Sequence, residues 1–221
     1  KEGMKVVVNY SRSEADANET VKAIEDLGGT AIAIQADVSK KEEVDRMVER
    51  IIETFARIDV LVANAGTTVF RPFDDLDGVT EEDWDRIMAV NVKGVWLTAK
   101  AVAPHMKKQG EGRIVVTTSI AGIRPTGSSL PYSVSKAAAI HLTKGLAKAL
   151  GPEILVNAIA PGILDTRWTR GHSKDTIDQF IKNSPIHRYP SLADNVRQVK
   201  ALIETDSMTG SIVVIDSGAI L

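Results

Sequence analysis

The sequence predicts an α/β protein in which helices cover both faces of a doubly wound parallel sheet. Six short runs rich in β-branched residues alternate with longer segments of helical periodicity, as parallel sheets require. The runs are nearly continuous in apolar character, which is typical of strands buried on both faces. Six runs favour this open sheet over a TIM barrel, which needs eight strand–helix units. The predicted strands comprise residues 4–9, 31–37, 60–64, 113–118, 155–160 and 212–215.

Capping residues and periodicity mark the helices between these strands. Gly28 and Gly29 predict the end of the first helix. Ser39 and Glu42 predict a capping box at the start of the second helix. Thr80, which precedes three acidic residues, predicts a helix that runs to about residue 108. The apolar stripe of the second helix is made by Val44, Met47, Val48, Ile51, Ile52 and Phe55.

Composition excludes several classes of function. The 221 residues suit one domain, and a net charge of −2 gives no basic stripe for nucleic acid or acidic membranes. Cysteine is absent, which excludes disulfides, thiolate catalysis and cysteine metal sites, and the four histidines lack metal-ligand spacing. No apolar run approaches the roughly 18 residues of a membrane span. We expect a cytoplasmic protein without a metal.

No glycine-rich loop of the GxGxxG kind follows any predicted strand, so the usual phosphate cradle at a helix N-terminus is not found. The sequence opens as if at the tail of a helix. We expect an upstream strand and loop, because a sheet without its first central strand would leave an unpaired edge beside the cofactor cleft.

The strongest chemical signal is the pair Tyr132 and Lys136. Their spacing of four places both side chains on one face of an alanine-rich helix. A nearby ammonium favours the phenolate, so we expect it to lower the pKa of Tyr132 toward neutrality. Ser119 ends a strand, where doubly wound sheets bind ligands, and its hydroxyl could polarise a substrate oxygen. Taken singly, the pair is better explained as a surface i,i+4 pair with a half-buried tyrosine, and Ser119 as a strand-end serine that caps the following turn.

Two asparagines add to this pattern. Residues 64–66, Asn-Ala-Gly, follow the third strand, and their small side chains would let the backbone approach a bound ring or ribose. Asn91 lies inside a predicted helix, where asparagine is a modest helix former. A simple strand-to-loop turn and a solvent-facing asparagine are the structural alternatives.

In order and spacing these residues closely resemble the pattern of the short-chain dehydrogenase/reductase family, most of all its 3-oxoacyl-(acyl-carrier-protein) reductase branch of fatty acid biosynthesis. The resemblance implies one NAD(P)-binding Rossmann domain over residues 1–221, N-terminally incomplete, with a substrate lid at 165–189. The positions that carry it are Asp37-Val38, Asn64-Ala65-Gly66, Asn91, Ser119, Tyr132-x3-Lys136 and Pro161-Gly162.

The resemblance also implies roles. Tyr132 would be the proton donor in reduction, Lys136 would lower its pKa and hold the nicotinamide ribose, and Ser119 would orient the substrate oxygen. Asn91 would hold a water that links Lys136 to solvent. The remaining cofactor contacts implied are Asp37 and Val38 at the adenine, Asn64, Ala65 and Gly66 at the adenosine side, and Pro161, Gly162, Ile163 and Thr166 at the carboxamide.

Cofactor preference and substrate are less strongly indicated. Ser11 and Arg12 follow the first predicted strand where NAD-preferring members carry an acid, so Arg12 is expected to pair with a 2′-phosphate and to favour NADP(H) over NAD(H). Trp168 in the lid is expected to touch substrate. Trp84 and Trp96 are expected to pack between helices.

Three functions are carried forward. The first is NADPH-dependent reduction of a 3-oxoacyl thioester, the second is a sugar, polyol or other alcohol dehydrogenase, and the third is a non-catalytic nucleotide-binding or scaffold protein on the same fold. The family also implies a homotetramer, formed through two long helices and the C-terminal strand. The small faces at residues 137–139 and 147–149 and the aliphatic end at 219–221 would suit its interfaces.

Overall fold

The computed structural model describes residues 3–221, apart from the Arg170 side chain, and has the predicted α/β architecture. All strand pairs in this range are parallel, and helices flank them. Each predicted strand is present, with ends shifted by one or two residues. The strands are β1 (Lys5–Tyr10), β2 (Thr30–Gln35), β3 (Val60–Ala63), β4 (Gly112–Thr117), β5 (Ile154–Pro161) and β6 (Ile212–Ile215).

Helices connect these strands, and such helical crossovers are long enough to join parallel neighbours. A π-helical turn, Ala89–Lys93, joins α3 to α4, so the long helix predicted from Thr80 is continuous in direction. Single 3₁₀ turns occur at Ile120–Gly122 and Arg167–Gly171. The helices are α1 (Glu14–Glu25), α2 (Lys41–Phe55), α3 (Glu81–Met88), α4 (Gly94–Gln109), α5 (Leu130–Leu150), α6 (Lys174–Asn183) and α7 (Leu192–Glu204).

The sheet is divided in two. β1 pairs with β2, and a second sheet has the order β3-β4-β5-β6. The facing edges of β1 and β3 enclose an apolar slot of about 820 Å³, floored by side chains of α2 and α4. Among its lining residues are Val6 and Val7 of β1, Leu61 and Val62 of β3, and Val95 of α4. Each wall therefore presents a strand edge without a hydrogen-bonded neighbour in the described chain.

The core lies between the second sheet and the helices α4 and α5. Ile114 and Val116 of β4 and Val156 and Ala158 of β5 are almost completely buried there. This burial on both faces explains why the central strands are continuously apolar in sequence. Within residues 3–221, no helix is long and apolar enough to cross a membrane.

The capping box predicted at Ser39 and Glu42 is wrong. Helix α2 begins at Lys41, and no side chain caps it. The Ser39 hydroxyl instead donates to the Asp37 carboxylate at 2.7 Å, and the Glu43 carboxylate accepts from the Asp37 backbone N–H at 2.8 Å. Glu43, one position after the predicted Glu42, is the acid that accepts from the Asp37 N–H, because the helix begins at Lys41, two residues after Ser39. The Thr80 prediction is confirmed, since its hydroxyl accepts from the Asp83 N–H at 3.1 Å.

Four side chains lie elsewhere than the sequence predicts. Trp84 and Trp96 do not fill helix contacts, since they remain 38% and 43% exposed. Conversely, Ala139 and Ala147 are buried in the core of this chain, so neither is free to meet a partner. The alanine faces at 137–139 and 147–149 are thus only partly available for an interface.

Candidate active site

The carboxyl ends of three adjacent strands form one edge of the second sheet. The exposed residues 64–66 follow β3, Ser119 follows β4, and Pro161 ends β5. Because β3, β4 and β5 are parallel neighbours, these loops converge on a single cleft. The sequence-predicted residues at these positions are therefore brought together.

Gly122 sets the distance between this strand edge and helix α5. A Cβ on Gly122 would lie 2.5 Å from the Lys136 carbonyl carbon and 2.7 Å from the Ala137 nitrogen. Only a residue without a side chain permits this approach of two backbones. The turn after Ser119 can consequently pack directly on α5, which brings the Ser119 side chain close enough to the Tyr132 phenol to lower its pKa.

Helix α5 begins so that Tyr132 lies in its first turn. The buried Ser129 is the N-cap, and its hydroxyl accepts from the Tyr132 backbone N–H at 3.4 Å. Lys136, one turn later, extends its Nζ to within 5.6 Å of the Tyr132 ring centroid. That ammonium donates to the Thr117 carbonyl at 2.8 Å, at the end of β4. The Tyr132 backbone is thus held by the N-cap of α5, and the Lys136 side chain on the same helix face is held by the end of β4.

Burial dominates the electrostatics of this pair. It raises the pKa of Tyr132 to about 12, and the interaction with the Ser119 side chain only partly offsets it. The pKa of Tyr132 is therefore raised and not, as expected, lowered. Burial also lowers the pKa of Lys136 to about 8, so its ammonium loses a proton more easily than a lysine in water does. At neutral pH the phenol keeps its proton, and Lys136 is mostly charged.

Asn91 lies at the centre of the π-helical turn and is 1% exposed. Its Oδ1 accepts from the Thr67 N–H at 2.8 Å, and its Nδ2 donates to the Thr67 carbonyl at 3.0 Å and to the Ser135 hydroxyl at 2.9 Å. Both amide hydrogens are used in these bonds. Hence Asn91 is neither solvent-facing nor free to donate to a water, and a water could reach only an acceptor of this residue.

The segment at residues 165–189, which the sequence predicts to be a lid, begins beside the same cleft. The rings of Trp168 and Tyr132 have centroids 5.9 Å apart, and Trp168 also lies 3.9 Å from the position of a Cβ on Gly66. The Thr166 hydroxyl accepts from the Trp168 N–H and so caps the lid's 3₁₀ turn. Arg167 forms an ion pair with Asp16 of α1 at 2.8 Å. The sequence-predicted contact of Trp168 with the reacting region is geometrically available.

Gly162 and Ile163 connect β5 to this lid. A Cβ on Gly162 would lie 2.9 Å from the Phe180 ring and 3.0 Å from Asp216 Cα, so the glycine admits α6 against the strand end. Ile163 is half-buried beside it. On the opposite wall, a Cβ on Gly127 would lie 3.3 Å from the Tyr132 ring, so this loop also borders the cleft.

A second cluster lies at the ends of β1 and β2. Ser11 and Arg12 are exposed, and Asp37 is half-buried near them. Burial opposes ionisation of Asp37, but hydrogen bonds from Ser39 and the charges of Lys40 and Arg12 outweigh it, so its pKa is lowered.

Val38 places its side chain in the core. It is 8% exposed and packs with Ala36, Val44 and Leu97, so the predicted adenine contact would involve its main chain. Its backbone alone remains available to a ligand.

Comparison with known proteins agrees with this geometry. Residues 1–177 match the family described as short chain dehydrogenase. The chain belongs to the short-chain dehydrogenase family. It is accordingly an NAD(P)-dependent oxidoreductase that acts between alcohols and carbonyls.

The similarity to individual members of the family extends over nearly the whole chain. A 3-oxoacyl-[acyl-carrier-protein] reductase of Synechocystis sp. is 39% identical over 223 residues, which cover 99% of this chain and 88% of the relative. A short chain dehydrogenase of Burkholderia cenocepacia in complex with NADP is 36% identical with a TM-score of 0.88, covering 98% and 88%. A xylitol dehydrogenase with bound NAD⁺ is 29% identical with a TM-score of 0.88, covering 98% and 90%.

The residues of this dehydrogenase fit the nicotinamide end of such a cofactor. Gly66 lies close to Lys136, since a Cβ there would be 3.9 Å from the lysine Nζ. Trp168 contacts both Gly66 and Tyr132, so a flat ring and its ribose could enter between these two residues only if the Trp168 ring moved aside. Sequence reasoning missed Thr67, Thr117 and Ser135, which hold Asn91 and Lys136 through contacts that have no local sequence signal.

The glycine contacts lead to a first prediction. Gly122→Ala should lower the free energy of unfolding by about 1–3 kcal/mol, because its methyl group must displace the α5 backbone. Gly66→Ala, the matched control, meets no atom closer than 3.6 Å and should stay within about 0.5 kcal/mol of the parent. Urea unfolding of the three proteins measures both values. Equal stability of the two variants would contradict the tight contact at Gly122.

Proposed function

We propose that this enzyme reduces the ketone of a 3-oxoacyl thioester to an alcohol with NADPH. The observation that carries the proposal is the placement of the Tyr132 phenol beside Ser119, with the Lys136 ammonium on the same helix face. When bound, the cofactor supplies the hydride. The protein must then hold the ketone oxygen and deliver a proton to it.

Ser119 and Tyr132 both donate to the ketone oxygen in this proposal. The phenol, with a pKa of about 12, is still a stronger acid than an alcohol, so its proton moves downhill to the developing alkoxide. The charge left on the phenolate is stabilised by the Lys136 ammonium, whose Nζ lies 5.6 Å from the ring centroid. A high pKa in the free enzyme favours the reductive direction, since the proton is always present at neutral pH.

Other predicted residues would shape the pocket around this centre. Asn64, Ala65 and Gly66 would border the cofactor, with Asn91 holding the loop that follows them. Pro161, Gly162, Ile163 and Thr166 would lie beside the carboxamide. Trp168 would cover the substrate, because its ring already packs against Tyr132. Lid closure of this kind excludes water from the reacting atoms.

The thioester substrate is supported by the relative from Synechocystis sp., whose name states 3-oxoacyl-[acyl-carrier-protein] reductase. A polyol or sugar dehydrogenase is the second candidate, favoured by the likeness to xylitol dehydrogenase. A non-catalytic nucleotide-binding or scaffold role is the third, and it is disfavoured because a scaffold has no need of the Ser119, Tyr132 and Lys136 arrangement.

Tyr132→Phe tests the reductase directly. The variant should lower kcat for NADPH-dependent reduction of a 3-oxoacyl thioester by about 10²- to 10⁴-fold, because it lacks the proton donor. Its Kd for NADPH should change less than about threefold, since the ring remains in place. Nicotinamide absorbance and fluorescence measure the two quantities.

Activity above a tenth of the parent value would contradict the proton-donor role. Parent enzyme that reduces a ketose but no thioester would replace the substrate with the second candidate. Tight NADPH binding without turnover of any carbonyl would favour the non-catalytic role.

Arg12 supports the preference for NADPH. Its guanidinium is exposed at the end of β1 and makes no ion pair shorter than 4 Å among the described residues. Asp37, whose pKa the charge of Arg12 helps to lower, is engaged by Ser39. A guanidinium in this position can form charge-assisted hydrogen bonds with a 2′-phosphate, and Ser11 beside it can donate a hydroxyl.

Arg12→Ala should raise the Kd for NADPH by about tenfold and change the Kd for NADH less than about twofold, because only the former carries the 2′-phosphate. Arg50→Ala, an exposed arginine of α2, is the control and should alter neither. Nucleotide fluorescence titrations provide the constants. Equal losses for both nucleotides, or a parent enzyme that binds NADH more tightly, would overturn the preference.

We also propose that the slot between β1 and β3 is filled by a further strand, which belongs to residues upstream of Lys1 and leads into a glycine-rich phosphate-binding loop. The slot is apolar and bordered by two unpaired strand edges. Exposed edges of this kind are normally paired or covered. The Rossmann domain would then have one continuous sheet, and the missing pyrophosphate site would lie at the adjoining helix N-terminus.

Val62→Lys tests whether the slot is filled. Val62 is 43% exposed toward the slot in this structure, so lysine there should cost less than about 0.5 kcal/mol if the slot stays open. In protein expressed from its natural start codon, we expect a loss of several kcal/mol because a covering strand buries the charge. Val196→Lys, on exposed α7, is the control, and equal small losses for both would refute a covering strand.

A homotetramer is the assembly we propose. One large apolar side chain stands exposed on each of the three elements expected at its interfaces, namely Trp96 on α4, Val134 on α5 and Val214 on β6. Their 39–43% exposure is consistent with burial against partner subunits. We further propose that the enzyme acts on a small-molecule or acyl-thioester substrate and that it is located in the cytoplasm.

A further inference from the structure

Ser135 lies between Tyr132 and Lys136 in helix α5 and is completely buried. Its hydroxyl donates to the Tyr132 carbonyl at 2.7 Å and accepts from Asn91 Nδ2 at 2.9 Å. The first bond stays within the helix. The second joins the helix to the π-helical turn at the end of α3, 44 residues away in sequence.

The connection continues beyond Asn91. Its amide makes a two-way bond with the backbone of Thr67, accepting from the N–H at 2.8 Å and donating to the carbonyl at 3.0 Å. Thr67 directly follows residues 64–66, which border the cofactor in the proposed function. Three buried or half-buried residues therefore form one chain of hydrogen bonds from the Tyr132 helix to the cofactor loop.

Other hydroxyls of α5 have simpler partners. The Thr143 hydroxyl is equally buried and donates to the Ala139 carbonyl at 2.8 Å within the helix. Ser133 donates to the Ala121 carbonyl at 2.7 Å. Ser135 differs from both because it also accepts from a side chain that is itself anchored to a second loop. Without this acceptor, one Asn91 hydrogen would be buried and unpaired, and its amide could regain a partner only by leaving Thr67.

We propose that Ser135 is a positioning residue that, through Asn91, holds the Tyr132 and Lys136 helix in register with the cofactor loop at residues 64–66. This role rests on the proposed function for the parts played by Tyr132 and Lys136. Ser135 itself touches neither cofactor nor substrate. It fixes the separation of the two surfaces between which the nicotinamide ring must lie.

Ser135→Ala should raise the Kd for NADPH by about fivefold and lower kcat by about tenfold, with KM for the carbonyl substrate unchanged within about twofold. Fluorescence titration gives the Kd without any turnover. In an Asn91→Ala background, Ser135→Ala should change either quantity less than about twofold further, since residues that act through one contact are not additive. Ser135→Cys, which keeps the shape but bonds weakly, should fall between the parent and alanine.

Thr143→Val is the matched control, because it removes a buried α5 hydroxyl that bonds only to its own helix. It should lower the melting temperature about as much as Ser135→Ala but leave Kd and kcat within about twofold. Ser135→Ala that behaves like this control would overturn the proposal, as would effects that multiply fully with Asn91→Ala. If the parent enzyme reduces no thioester, the NADPH Kd and the double-mutant comparison still decide the role of Ser135, so its failure is distinguishable from failure of the substrate assignment.

Discussion

The contact of two backbones at Gly122 is the constraint on which the site depends. Ser119 follows a strand of the sheet and Tyr132 lies in a helix, and their side chains can interact only because the turn after β4 lies directly on α5. A side chain at Gly122 would push this turn away from the α5 backbone. The Lys136 bond to the Thr117 carbonyl crosses the same narrow interface, so one close approach holds hydroxyl, phenol and ammonium together.

The same closeness decides the electrostatics. Packing α5 against the sheet buries Lys136 and half-buries Tyr132, and burial favours the neutral form of each group. The phenol therefore keeps its proton, and the lysine holds its charge less strongly than in water. Such a site is prepared to give a proton rather than to take one. Charge on the lysine is retained at neutral pH, where the Thr117 carbonyl accepts from it.

Local sequence patterns predicted much of this enzyme, but contacts between residues distant in sequence could not be predicted. The strands were readable because burial on both faces leaves continuous apolar runs, and the spacing of Tyr132 and Lys136 is a property of one helix. The order of the functional residues also identified the family. Thr67 and Ser135 escaped prediction because their partners are 24 and 44 residues away. The expected direction of the Tyr132 pKa differs from the one found because the pKa depends on three-dimensional burial, which local spacing does not reveal.

The central claim is that burial keeps Tyr132 protonated as a proton donor, and its titration measures this most directly. The chain has three tyrosines, so ¹³C labelling of their ring carbons gives few signals, and Tyr132→Phe assigns the relevant one. In the cofactor-free enzyme, the Tyr132 signal should not move between pH 6 and about 10, since its pKa is raised to about 12. A titration of that signal below about pH 9 would show that Lys136 outweighs burial and would contradict the account.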